Sequence, residues 1–120
     1  MNFLKQTLVF INIFFILILL MPDFALAQKA SQGPLRIDVT IRHHRFETTV
    51  TTVPKGQPLL FRVTNAGKSM EEFESYDMAF EVVVRPGQTV EIPVSGLGEG
   101  TYEYFGDFHP GTARGTITVK

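Results

Sequence analysis

The chain has 120 residues and a formal net charge of −1, from 11 basic and 12 acidic side chains. That balance argues against nucleic acid or a polybasic membrane surface as a partner. It contains no cysteine, so neither a disulfide framework nor a thiolate chemistry is available to it.

At the N-terminus, Lys5 supplies a short positive region before a nearly unbroken apolar run from Leu8 to Met21. Pro22 breaks the run, and Ala25 and Ala27 present small residues where a signal peptidase would read them. The run is shorter than the roughly 20 residues of a bilayer-spanning helix. Residues 1–27 are therefore expected to be a signal peptide cleaved after Ala27, delivering a periplasmic or secreted protein with no membrane span after cleavage. Residues 28–34, polar and small, are expected to be a flexible lead-in, and residues 35–120 a single domain.

Within that domain, strand signals recur at short spacing. Leu35, Ile37, Val39 and Ile41 alternate with Arg36, Asp38, Thr40 and Arg42, the period of a half-buried strand. Residues 46–53 are rich in Thr and Val and end at Pro54-Lys55-Gly56. Leu59, Phe61 and Val63 alternate again before Asn65-Ala66-Gly67. Residues 72–76 and 80–84 are shorter candidates, the second closed by Pro86-Gly87. Val90, Ile92 and Val94 share a face, and the strands around Tyr102, Tyr104, Ile117 and Val119 complete the set. Short strands with turns every 8 to 12 residues predict an all-β sandwich or barrel.

The candidate chemistry lies in two segments. Residues 70–74 read Met-Glu-Glu-Phe-Glu, and on a strand Glu72 and Glu74 share one face while Glu71 takes the other with Phe73. Residues 107–111 read Asp-Phe-His-Pro-Gly, with His109 in a loop between two strands. Imidazole, carboxylate and a possible thioether suit copper or iron ions, and zinc as well. His109, Glu72, Asp107, Met70, Glu71 and Glu74 are the candidate metal ligands. Each has a plainer reading too: a loop histidine, an Asx turn, a solvated acidic edge, a core methionine. For Met78 the core is the stronger reading. His43 and His44, between Arg42 and Arg45, are expected to be a solvated corner.

The layout of residues 101–120 resembles the copper loop of cupredoxins. His109 and Gly115 match that pattern, while Gly106 stands at the cysteine position and Ala113 roughly at the methionine position. The stretch Val53-Pro54-Lys55-Gly56, leading to a strand that ends in Asn65, is similar to the same family. With Glu71-Glu72-Phe73-Glu74-Ser75 and the Gly106-Asp107-Phe108-His109 segment, the chain resembles the cupredoxin-like domain of bacterial periplasmic iron-uptake systems. The resemblance implies a cupredoxin-like antiparallel Greek-key β-sandwich that cannot make a blue copper centre. It also implies Glu72 as the acidic ligand beside His109.

The function expected from this resemblance is an exported metal-binding accessory protein for iron or copper. It would support ferrous iron uptake or oxidation beside an iron permease or a periplasmic iron-binding partner, without being an enzyme in its own right. The rival is a metal-free protein-interaction module on the same fold. Convergence of His109 with the Glu72 region in space separates the two. A hydrolase is disfavoured, since no Ser–His–Asp spacing stands out.

Overall fold

The computed structural model describes Gly33–Lys120. The expected signal peptide and most of the lead-in lie outside the described residues. Among the described residues there are nine strands and no helix: β1 (Leu35–Arg42), β2 (Arg45–Thr48), β3 (Thr52–Val53), β4 (Leu59–Asn65), β5 (Glu71–Ser75), β6 (Phe80–Val84), β7 (Thr89–Val94), β8 (Gly100–Gly106) and β9 (Arg114–Val119).

They form two sheets, ordered β2-β1-β4-β7 and β3-β9-β8-β5-β6. Ile37, Val39 and Ile41 of β1, Phe61 and Val63 of β4, Phe73 of β5, Tyr104 of β8 and Ile117 of β9 are almost wholly buried and form the core between the sheets. Phe46, Phe61, Phe73, Phe80 and Tyr104 pack ring on ring across it. The all-β sandwich expected from the strand periodicity is what the chain adopts. Met78 joins the core, as expected.

Two pairings are parallel, β1 with β4 and β3 with β9, so the sandwich is mixed rather than purely antiparallel. The reason lies in residues 46–53. Their Thr- and Val-rich composition suggested one strand there, but it splits: β2 pairs with β1 in the first sheet, and β3 joins β9 in the second. The chain changes sheets at residues 49–51, so β1 returns to its neighbour β4 through a crossover and meets it in parallel.

Candidate metal centre

The end of the sandwich at β5 and the β8–β9 loop is held by backbone hydrogen bonds. Gly106 N–H donates to Ala113 C=O at 2.8 Å, His109 N–H to Gly106 C=O at 3.0 Å, and Asp107 N–H to Glu72 C=O at 2.9 Å. The loop entering β5 is fixed by Asn65, which is fully buried. Its amide donates to the carbonyls of Ser69 (2.8 Å) and Val84 (2.9 Å) and accepts from Gly67 N–H (2.9 Å).

The strand alternation then sorts the three glutamates. Glu71 points inward and is 1% exposed, while Glu72 and Glu74 take the outer face of the sheet. Glu71 Oε1 accepts the N–H groups of Glu72 and Phe108, each at 3.0 Å. Glu71 Oε2 lies 2.6 Å from His109 Nδ1. A carboxylate only accepts, so this bond places a hydrogen on Nδ1 and leaves Nε2 outside it.

On the outer face, Glu72, Glu74 and Asp107 each offer an oxygen, and these atoms lie within 4.8 Å of one another. Glu81 of β6 pairs with Glu74 across the ladder and reaches Glu72 diagonally. The Glu72 carboxyl is pushed up to about 7: first by a hydrogen bond with Glu81, then by its partial burial, then by the charges of Glu81, Asp107 and Glu74. Glu74 moves the same way, chiefly through burial and then the Glu81 charge. Among the described residues, no lysine or arginine forms an ion pair with any of these four acids. Arg114 on β9, separated from β5 by β8, is already bound to Glu103 through Nε at 2.9 Å.

The structure therefore divides the expected ligand set in two. Glu71, not Glu72, meets His109. Glu72, Glu74 and Asp107 come together without it, because adjacent strand residues face opposite ways. Met70, half exposed just before β5, joins neither the hydrogen bonds of Glu71 nor the carboxylate trio.

Two neighbours of the site stood outside the expected ligand set. Glu81 becomes visible only once β5 and β6 are placed in register. His44 stacks on His109, with ring centroids 3.7 Å apart and planes 17° from parallel. Arg42 pairs with Arg45, so His43 and His44 are the two loop residues of the β1–β2 hairpin, with φ of +51° and +58°. Such a loop normally announces itself by Asn-Gly or a similar pair, and here nothing does. The tip is exposed, as a solvated corner should be, but His44 is turned onto His109.

The cupredoxin-like domain family matches residues 9–119, and the chain belongs to that family. It is 38% identical over 92 residues to an uncharacterized protein of Rickettsia prowazekii (strain Madrid E), RP394, covering 77% of this chain and 74% of that one. Among solved structures it is similar to auracyanin A, a "blue" copper protein of Chloroflexus aurantiacus, with a TM-score of 0.62 at 18% identity, covering 73% of this chain and all of that one. The periplasmic domain of subunit II of cytochrome oxidase (CoxB) of Bradyrhizobium japonicum gives a TM-score of 0.61 at 14% identity, covering 72% and 83%. At these identities the structural likeness speaks for the fold alone.

A thiolate copper centre does not fit this chain. Gly106 offers no sulfur, and a Cβ there would stand 2.5 Å from Glu71 Cδ and 2.8 Å from Ala113 Cβ. The donors present are carboxylate oxygens on the outer face and imidazole nitrogens at the sandwich end.

Proposed function

We propose that this chain is an exported metal-handling accessory protein that holds iron as cargo on Glu72, Glu74 and Asp107. It works beside an iron permease or a periplasmic iron-binding partner, supporting the uptake or oxidation of ferrous iron. The observation that carries this reading is the trio of carboxylate oxygens within 4.8 Å of one another, with Glu81 alongside and no basic ion-pair partner among the described residues. The hydrogen bond with Glu81, partial burial and the neighbouring acidic charges together push the Glu72 carboxyl up to about 7, and a bound cation offsets the repulsion among the four acids.

Oxygen donors without sulfur favour hard ions, which places iron ahead of reduced copper. Anionic oxygens also stabilise Fe(III) more than Fe(II), so bound ferrous iron is the more easily oxidised by an external acceptor. The sequence resemblance to iron-uptake domains points the same way.

The test is anaerobic calorimetric titration of the protein with Fe(II), beside the Glu72→Gln/Asp107→Asn variant. One equivalent bound by the parent chain and at least a tenfold weaker affinity in the variant is the expected result, a loss of about 1.4 kcal/mol or more. No heat of binding with Fe(II) or Fe(III) would favour the metal-free interaction module instead.

A further inference from the structure

Between the β1–β2 hairpin and the loop that enters β5 lies a cavity of about 410 Å³. Its floor is Ile41, Asn65 and Glu71, each at most 3% exposed. The polar groups of that floor are already spent. Asn65 donates twice through its amide and accepts from Gly67 N–H. Glu71 commits both carboxylate oxygens to three hydrogen bonds. A molecule entering the cavity therefore meets carbon surface and satisfied polar atoms below it.

The rim is different. Arg42, His43 and His44 bring three basic side chains from the hairpin, and Lys68 brings a fourth from the β4–β5 loop. Arg42 and Lys68 are exposed and form no ion pair among the described residues. A guanidinium and an ammonium only donate hydrogen bonds. Arg45 stands opposite Arg42 at the neck of the hairpin, which raises the local positive charge. Both walls are held in place: His44 by its stack on His109, and the Lys68 loop by the three hydrogen bonds of Asn65. In a chain of net charge −1, the acids thus collect on the outer face of β5 and β6 and the bases around this cavity.

We propose that the cavity binds a small organic anion bearing two or more carboxylates. Small-molecule pockets run from roughly 300 to 1,000 Å³, and this one has more room than a single inorganic oxyanion fills. Ile41 and Ala66 offer carbon surface to the body of such a molecule. The cations stand on two walls, so the ligand needs more than one anionic group. One carboxylate pairs with the planar fork of Arg42, and another meets the ammonium of Lys68. The imidazoles of His43 and His44 add N–H donors on the hairpin side. No residue is shared with Glu72, Glu74 and Asp107, so this site and the iron site can fail separately.

The experiment is titration of the full chain, freed of metal, with propane-1,2,3-tricarboxylate, followed by amide NMR shifts and by calorimetry. One equivalent should bind saturably, with shifts concentrated in residues 41–45 and 65–69. Added salt should weaken it, since the rim is exposed. Arg42→Gln/Lys68→Gln removes two exposed cations outside any ion pair among the described residues, so the fold is kept. It should weaken binding about tenfold or more. Ala66→Phe fills the cavity without changing its charge and should weaken binding too. Glu72→Gln/Asp107→Asn should leave it unchanged. The neutral tricarboxamide should not bind, and inorganic phosphate should bind more weakly than the tricarboxylate. Absence of saturation, parent-like affinity in either cavity variant, or a loss in Glu72→Gln/Asp107→Asn would each overturn the assignment. So would phosphate or the tricarboxamide binding as tightly as the tricarboxylate.

Discussion

The carboxyl group of Glu71 occupies the volume that a side chain on Gly106 would need: a Cβ there would lie 2.5 Å from Glu71 Cδ and 2.8 Å from Glu71 Oε1. The glycine and the buried glutamate are thus one arrangement. Gly106→Cys alone should destabilise by about 1–3 kcal/mol through overpacking, and it should bring no intense blue band with Cu(II). Adding Glu71→Ala opens the space, so the double variant should lose less than the two single losses combined. Urea unfolding of the four proteins in a double-mutant cycle measures that coupling.

Glu71→Ala by itself strands the N–H groups of Glu72 and Phe108 and the Nδ1 of His109. Each buried donor left without a partner costs about 1–3 kcal/mol, so a loss of at least that size is expected in urea unfolding. Glu71→Gln keeps an acceptor for the two backbone donors and should cost clearly less. Equal losses would mean that the charge on Glu71, not its hydrogen bonding, holds the loop.

The acidic face makes stability depend on pH in a defined direction. The folded-state pKa of Glu72 is about 7 against an ordinary 4.5, so between those values the folded chain keeps a proton that the unfolded chain has released. Stability therefore falls as pH rises from about 4.5 to about 7 and then levels off. Glu74 shifts in the same direction and deepens the fall. Thermal melts by circular dichroism across this window should show a declining Tm, flattened in Glu72→Gln. For the same reason, Fe(II) binding to the trio should release a proton near neutral pH and weaken in acid. A Tm that rises through the window would contradict the repulsion on which the iron site rests.

Tyr104 ties the two sheets together. Its hydroxyl lies 2.8 Å from Thr48 Oγ1, and its ring covers Gly115, where a Cβ would collide with it. Tyr104→Phe should cost about 1 kcal/mol for the lost hydrogen bond. Gly115→Ala should cost more, because the ring it meets is wholly buried and has nowhere to move. Denaturant midpoints rank the two, and the reverse order would show that the ring shifts freely.

The fold was legible where one periodicity governs one strand. β1, β4 and β7 alternate as read because each buries a single face against the same core. Residues 46–53 were misread because their apolar and β-branched pattern continues while the backbone leaves one sheet for the other. The candidate metal centre was legible in composition but not in partnership. Glu71, Glu72 and Glu74 were placed on the correct faces by alternation, yet the resemblance joined Glu72 to His109, whereas the structure joins Glu71. His44 was read as a solvated corner, and its stacking on His109 was not legible because it depends on a hairpin turn built without glycine or asparagine.

The wiring of the second sheet has a consequence for how the chain reaches its folded state. β9 lies between β3 and β8, and Lys55 N–H donates to the carbonyl of Lys120. β3 therefore has no partner in its sheet until the final strand is available. The other sheet, β2-β1-β4-β7, needs neither β3 nor β9 to pair, so the two halves of the sandwich close under different conditions, and the second locks only when β9 joins β3 to β8.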